Sequence, residues 1–312
     1  MAKGISVHVG VNQAQPSFGV ATLQGCVNDA NAMFQIATDN GFEATPPFLN
    51  AEATLANVEA AILDAANRLD AGDFFLFTFA GHGSVSPTTF SAEEQDSQDE
   101  TILLHDCILL DNYLRRNLWS QFKKDVRILG IADSCHSGTV LAGVPPDDAP
   151  TPIPMLTGGG AVAAVSAGQS TVTRMDPALT DPPLVVQRIP AIGKSDRAFS
   201  AADRRRILEV SPEIHCQMRA RLKPIAPLEA DLLTLGACSD FELARDGADH
   251  GVFTKALLEV WDNGAFGPDP NYQNFIFQIR TKVLLTSPQQ HPILRPIVPD
   301  LNFVNQRPFT ID

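Results

Sequence analysis

The sequence predicts an α/β fold in which a mostly parallel sheet is covered by helices. Three observations predict it. The first 140 residues alternate strand-like and helix-like segments. Two runs, 73–79 and 126–132, are almost continuously apolar, as strands covered on both faces must be. Each run stops abruptly at a polar, glycine-bearing cluster, Gly81-His82-Gly83 after the first and Asp133-Ser134-Cys135-His136-Ser137-Gly138 after the second.

The elements follow in order. Residues 5–11 read as the first strand. From Cys26 to Asn40 the apolar positions Ala30, Met33, Phe34 and Ala37 fall at helical spacing, and Asn40-Gly41 supplies a stop. Leu55, Val58, Ile62, Ala65, Ala66 and Leu69 repeat that spacing over 54–69. The strands at 73–79 and 126–132 come next. After Gly138 the composition changes to Pro145-Pro146 through Pro154 and then Gly158-Gly159-Gly160, so 141–226 reads as a flexible or inserted surface connection. Regular patterning returns with a strand at 231–237, helices at 252–261 and 272–285, and a short terminal strand at 303–311. No internal repeat is present. The parts 1–140 and 227–312 are expected to make one domain around the connection.

Composition narrows the function classes. The chain has 312 residues and a formal net charge of −13, which disfavours a nucleic-acid partner and suits attraction of cationic substrates. No apolar run reaches the roughly 18 residues of a membrane span, and the strand-like start leaves no room for a signal peptide. Five widely spread cysteines do not resemble a disulfide framework, which points to a reducing, cytoplasmic setting. With no CxxC and scattered histidines, no metal site is expected.

Strand ends are where open α/β sheets bind ligands, and here they deliver a histidine and a cysteine. A cysteine peptidase needs a thiol, an imidazole to manage its proton and donors for the oxyanion. Cys135 and His82 fit the first two roles, and the amides of Gly83 and Cys135 are natural oxyanion donors. His136 directly follows the nucleophile, and adjacent side chains leave a strand end in opposite directions, which favours His82 as the base. Cys26 and Cys238 read as packing residues, since nothing near either supplies an activating base.

Several blocks together resemble one family: Gln24-Gly25-Cys26-Val27-Asn28-Asp29, Ala80-Gly81-His82-Gly83, Asp99-Glu100-Thr101, the Cys135 block, Gly236-Ala237-Cys238-Ser239-Asp240 and Gly251-Val252-Phe253-Thr254. In this order they resemble the caspase-like cysteine peptidases of metacaspase or bacterial orthocaspase type. The 53 residues from His82 to Cys135 match the separation of about 50 found in caspases. The resemblance implies a caspase-hemoglobinase fold with a mostly parallel six-stranded sheet, a large-subunit-like part at 1–140 and a small-subunit-like part at 227–312. It implies an endopeptidase cutting after Arg or Lys, with an S1 pocket to which Asp29, Asp133, Cys26 and, more weakly, Asp240 correspond. A planar guanidinium pairs well with carboxylates in such a pocket.

Two departures bear on the expectation. Position 80 is Ala where many metacaspases carry Ser. The family's calcium cluster is matched only by Asp111-Asn112, with Asp96, Asp99 and Glu100 as further oxygens, so no cofactor and no calcium dependence are expected. Basic residues in the connection, Arg174, Arg188, Lys194, Arg197 and Arg204-Arg205-Arg206, are candidate self-processing sites. A monomer is expected. A catalytically silent homologue acting as a binding module, or a clan relative of other specificity, is the competing reading.

Overall fold

The computed structural model describes residues 2–86, 99–138, 140–142, 196–239, 242–267, 269–297 and 301–312. In chain order the elements are β1 (Gly4–Gly10), α1 (Cys26–Asp39), β2 (Glu43–Ala44), β3 (Phe48–Leu49), α2 (Leu55–Arg68), β4 (Phe74–Ala80), β5 (Gly83–Ser86), β6 (Asp99–Leu103), β7 (Ile108–Leu110) and a helical turn α3 (Asp111–Tyr113). There follow β8 (Arg127–Asp133), α4 (Ala201–Val210), α5 (Pro212–Ala220), β9 (Asp231–Gly236), α6 (Val252–Trp261), α7 (Tyr272–Thr286), β10 (Ile293–Pro296) and α8 (Leu301–Asn305).

The main sheet runs β10-β9-β8-β4-β1-β2, with the short β3 also pairing β1. Six strand positions therefore lie side by side, the last shared by two short strands. Only the β10–β9 pair is antiparallel. The remainder is parallel because each strand returns through a crossover. Strands β1, β4 and β8 are buried along their whole length, which is why β4 and β8 read as unbroken apolar runs. One core face packs α2, Trp119 and Phe122 against Phe75 and Phe77; the other packs α6 and α7 against Leu76, Leu129 and Leu233. A separate antiparallel sheet, β5-β6-β7, grows from the C-terminal end of β4.

Two expectations are corrected. The terminal strand expected at 303–311 is instead helix α8 and an irregular tail that turns at Pro308 and Phe309. Phe303 packs edge-on against Phe74 and Tyr272, and Arg127 binds the tail's Thr310 and Ile311 carbonyls where a ladder was expected. The connection expected over 141–226 contains α4 and α5, whose buried Ile207, His215 and Met218 dock them on the domain. Residues 143–195, including Arg174, Arg188 and Lys194, lie outside the described residues.

Candidate active site at the strand ends

Strands β4 and β8 are parallel neighbours in register, Ala80 opposite Asp133, and Gly81 N–H reaches the Asp133 carbonyl. The chain therefore leaves both strands at the same height, carrying His82 and Cys135 off adjacent C-terminal ends. At position 83 only glycine fits: a Cβ there would lie 2.3 Å from the Cys135 carbonyl oxygen. His136 turns through the left-handed region at φ 55°, which takes the chain away from Cys135 immediately.

The imidazole of His82 is buried. Its Nε2 lies 2.7 Å from the Ala21 carbonyl, which can only accept, so Nε2 carries the proton. Nδ1 is left as the basic nitrogen, buried and, among the described residues, without a hydrogen-bond partner. Burial pushes the His82 pKa down, more than the Ala21 bond pushes it up. The Cys135 thiol is buried too. Its Sγ accepts from Ala244 N–H at 3.0 Å and donates to the Ala244 carbonyl at 3.4 Å. Burial pushes its pKa well up, so burial favours the neutral thiol as it favours the neutral imidazole.

Above them lies a segment distant in sequence. The amides of Gly83 and Cys135 converge on one oxygen, the carbonyl of Arg197, at 2.8 and 3.1 Å. Arg197 N–H donates to Ala244 O at 2.9 Å, and Asp196 forms an antiparallel bridge with Arg245. On the other side Ala198 bridges Gly83, and Ser84 Oγ donates to the Phe199 carbonyl at 3.0 Å. The backbone of 196–199 thus lies over the exits of β4 and β8, hydrogen-bonded to Gly83 and Cys135 on one side and to Ala244 on the other.

The Arg197 side chain is completely buried in an acidic pocket. Nη2 meets Asp29 Oδ2 at 2.5 Å and Asp246 Oδ1 at 2.9 Å, Nε meets Asp246 Oδ1 at 3.2 Å, and Nη1 meets Asp133 Oδ2 at 3.1 Å and the Asp133 carbonyl at 3.0 Å. Each carboxylate is braced in turn. Asp29 accepts from Gly251 N–H and faces His250 Nδ1 at 2.8 Å; Asp133 Oδ2 accepts from Thr254 Oγ1 and N–H; Asp246 accepts from the Gln24 and Gly25 amides. Burial, reinforced by Asp29 and opposed by Arg197, pushes the Asp133 pKa up to about 6. Its bond to Asp29 pushes the His250 pKa up. Gly251 closes the pocket wall, since a Cβ there would lie 2.4 Å from Asp133 Oδ2 and 2.6 Å from Arg197 Cζ.

The structure therefore brings together His82, Cys135, Gly83, Asp29 and Asp133 from the sequence-based set. Cys26 is buried at the start of α1 near Arg197 and its carboxylates, and packs with Ala80 and Leu23 in a small apolar cluster. Asp240 and Asp96 lie outside the described residues. Glu100 and Asp111 are buried, and among the described residues no group of three or more His, Cys, Asp or Glu is disposed to hold a metal. Cys238 packs beside Ser137 and donates to backbone carbonyls. Sequence reasoning missed the roles of Asp246 and His250, which lie in an irregular segment, and grouped Arg197 with Arg174, Arg188, Lys194 and Arg204-Arg205-Arg206 as residues of an exposed connection, whereas Arg197 is buried.

The caspase-domain family model matches residues 4–297. The chain belongs to the caspase-domain peptidases. Among curated relatives of this caspase-like protein, metacaspase-9 of Arabidopsis thaliana is 33% identical over 129 residues, 38% of this chain and 39% of that protein. Metacaspase-1 of Kluyveromyces lactis is 30% identical over 147 residues, 43% of this chain and 33% of that protein. The matches thus span well under half of those relatives. The crystal structure of protein GSU0716 from Geobacter sulfurreducens superposes with a TM-score of 0.72 at 30% identity, covering 99% of this chain and 98% of that one. Among the described residues no helix is long and apolar enough to cross a membrane.

Proposed function

We propose that this chain is a cysteine endopeptidase that cuts peptide bonds after Arg, and less well after Lys, with Cys135 as nucleophile and His82 as acid and base. The observation that carries the reading is the double seating of Arg197, its carbonyl oxygen on the Gly83 and Cys135 amides and its guanidinium among Asp29, Asp133 and Asp246.

A substrate arginine seated the same way would present its carbonyl carbon to Sγ. As the thiol attacks, its proton passes to His82 Nδ1 and the two amides take the developing oxyanion. The imidazolium then protonates the leaving amine, and water hydrolyses the thioester with His82 taking the water's proton. Ala21 holds the ring in the tautomer that makes Nδ1 the base. Three carboxylates reward a fork of donors more than a single ammonium, and repel an acidic side chain. This chemistry uses no metal, and we propose that calcium is not required.

Fluorogenic peptides ending in Arg, Lys or Asp, assayed with calcium and with chelator, test the proposal. The expected result is cleavage after Arg, at a rate at least about tenfold above Lys and undiminished by chelator, with Cys135→Ala and His82→Ala slower by at least about a thousandfold. Cleavage after Asp, or full activity in Cys135→Ala, overturns it.

We further propose that the protein acts as a cytoplasmic monomer on peptide segments. In support, the exposed large apolar side chains among the described residues are only Val210, Ile225, Phe277 and Leu285, and the net charge of −13 opposes nucleic acid. Sedimentation at micromolar concentration should give the mass of one chain.

A further inference from the structure

We infer that Arg245 is a specificity-determining residue, which makes this protein prefer arginines preceded by an acidic residue, Asp-Arg or Glu-Arg. Such a preference rests on the proposed function and deepens it by naming the substrate class at the same site.

The register across the site fixes which side chain of a bound peptide meets which wall. Arg197 N–H donates to the Ala244 carbonyl at 2.9 Å, and Asp196 lies directly opposite Arg245 in an antiparallel bridge. A bond from the residue after one partner to the residue before the other makes 196 and 245 a non-hydrogen-bonded pair. Side chains of such a pair stand on one face, their Cβ atoms about 4.5–5.5 Å apart. Residues one step along point the other way, and Arg197 and Asp246 accordingly meet inside the acidic pocket. A peptide whose arginine takes the Arg197 seat therefore lays its preceding residue opposite Arg245.

On that face opens a second cavity of about 370 Å³, whose lining includes none of the three carboxylates. Asp196 and Arg245 line it with Leu243, Thr286 and the turn at 287–289. Arg245 and Asp196 are its only ionisable side chains, and Asp196 is the residue a bound peptide replaces. The chain's own residue in this seat is thus acidic, and it is buried there. Arg245 is exposed, and among the described residues its guanidinium makes no hydrogen bond or ion pair.

The backbone that carries this uncommitted cation is held firmly. Arg245 N–H donates to Gln290 Oε1 at 3.2 Å, and its carbonyl accepts from Val252 N–H at 3.0 Å. The Gln290 side chain is completely buried and anchored in turn on the Ala237 carbonyl at 3.2 Å. A positive charge is therefore presented at one place, in a chain whose formal net charge is −13. Proximity decides between it and the surplus charge of the acidic pocket. Arg245 is the side chain directly opposite, whereas the carboxylates lie on the other face and are engaged by the substrate arginine.

Fluorogenic peptides ending in Asp-Arg, Glu-Arg, Asn-Arg, Leu-Arg and Lys-Arg, identical elsewhere, are assayed with full-length wild type, Arg245→Gln and Arg245→Glu. The same series is run on an Arg197→Gln background, where the chain's own arginine does not compete for the acidic pocket. The expected kcat/KM is about two- to fivefold higher for Asp-Arg and Glu-Arg than for Asn-Arg, as befits one exposed charge pair, and lowest for Lys-Arg. In about 1 M salt, where the screening length falls to about 3 Å, the preference should shrink toward unity. Arg245→Gln should level the acidic, amide and basic peptides, and Arg245→Glu should put Lys-Arg first. A merely structural role for Arg245 would instead lower all five peptides alike.

Equal wild-type rates for Asp-Arg, Asn-Arg and Lys-Arg overturn the selection and leave cleavage after Arg standing. A best rate for Leu-Arg assigns the wall to Leu243 and Pro288 and overturns it as well, as does an acidic preference that survives Arg245→Gln. If no peptide is cleaved in either background, the proposed function falls and the selection falls with it.

Discussion

Three carboxylates facing one guanidinium leave the pocket with surplus negative charge, and the surplus decides how it responds to pH. With water excluded, like charges at this range repel strongly, so one of the acids is driven toward its neutral form. Asp133 is that acid, pushed up to about 6 by burial and by Asp29 even with Arg197 in place to oppose the shift. Removing the cation removes the opposing pull, so the emptied pocket titrates higher still. Binding a basic side chain must then expel a proton from Asp133, and affinity rises as pH rises through that range. The expected outcome is a KM for Arg peptides that falls from pH 5 toward pH 8, with Asp133→Asn raising KM and flattening the slope. A pH-independent wild-type KM would contradict the charge surplus. At this scale the sequence was readable where residues punctuate strands: His82, Cys135 and Asp133 all sit at glycine-bearing strand exits. Asp246 was not, because Arg245-Asp246-Gly247 has the composition of any turn, and its role comes from contact with Gly25 and Arg197, far away in the chain.

Elements buried on both faces were legible because burial forces a continuous apolar run, and β4 and β8 have no alternative reading. Helices α4 and α5 were illegible for the opposite reason. In α4 only Ile207 is buried, and the Arg204-Arg205-Arg206 run swamps any periodic signal. The signals that were present are local: Ser200 with Asp203 closes the first turn of α4, and Pro212 opens α5. The Ser200 cap matters beyond α4 itself, because the helix begins three residues after Ala198 and anchors the chain leaving the candidate active site. Ser200 Oγ accepts from Asp203 N–H, and Ser200→Ala deletes that bond. In a Cys135→Ala background, where peptidase activity cannot blur the measurement, the change should cost about 1 kcal/mol, seen as a fall of about 2 °C in melting midpoint. An unchanged midpoint would mean that docking of Ile207 alone holds α4 in place.

Across the whole molecule, the parallel sheet separates chemistry from closure. His82, Cys135 and the acidic pocket occupy the C-terminal ends of the strands, while the chain terminus is fastened at the N-terminal ends by Arg127. That residue opens the central strand β8, stacks 4.9 Å over the Phe74 ring, and donates to Gly72 O at 3.1 Å, Ile311 O at 2.9 Å and Gln306 Oε1 at 2.7 Å. The tail it holds seats Ile311 against Gly4 of β1, and Phe309 packs between Trp261 and Phe275, so a single guanidinium fastens the sheet's edge to α6 and α7. The short segment 303–311 read as a terminal strand because its apolar residues record burial but not which partner satisfies the backbone. Arg127→Met preserves most of the stem that packs on Phe74 and leaves the carbonyls of Gly72 and Ile311 without their donor. Each such loss costs about 1–3 kcal/mol where the group stays buried, less where water enters. Urea unfolding of the Cys135→Ala form should therefore show Arg127→Met destabilised by about 2–4 kcal/mol with an unchanged m-value. With Cys135 in place, kcat/KM for an Arg peptide should be unaltered, because the strand length separates Arg127 from the site. A loss of kcat/KM without a loss of stability would show instead that the tail's grip on β8 sets the geometry at Cys135.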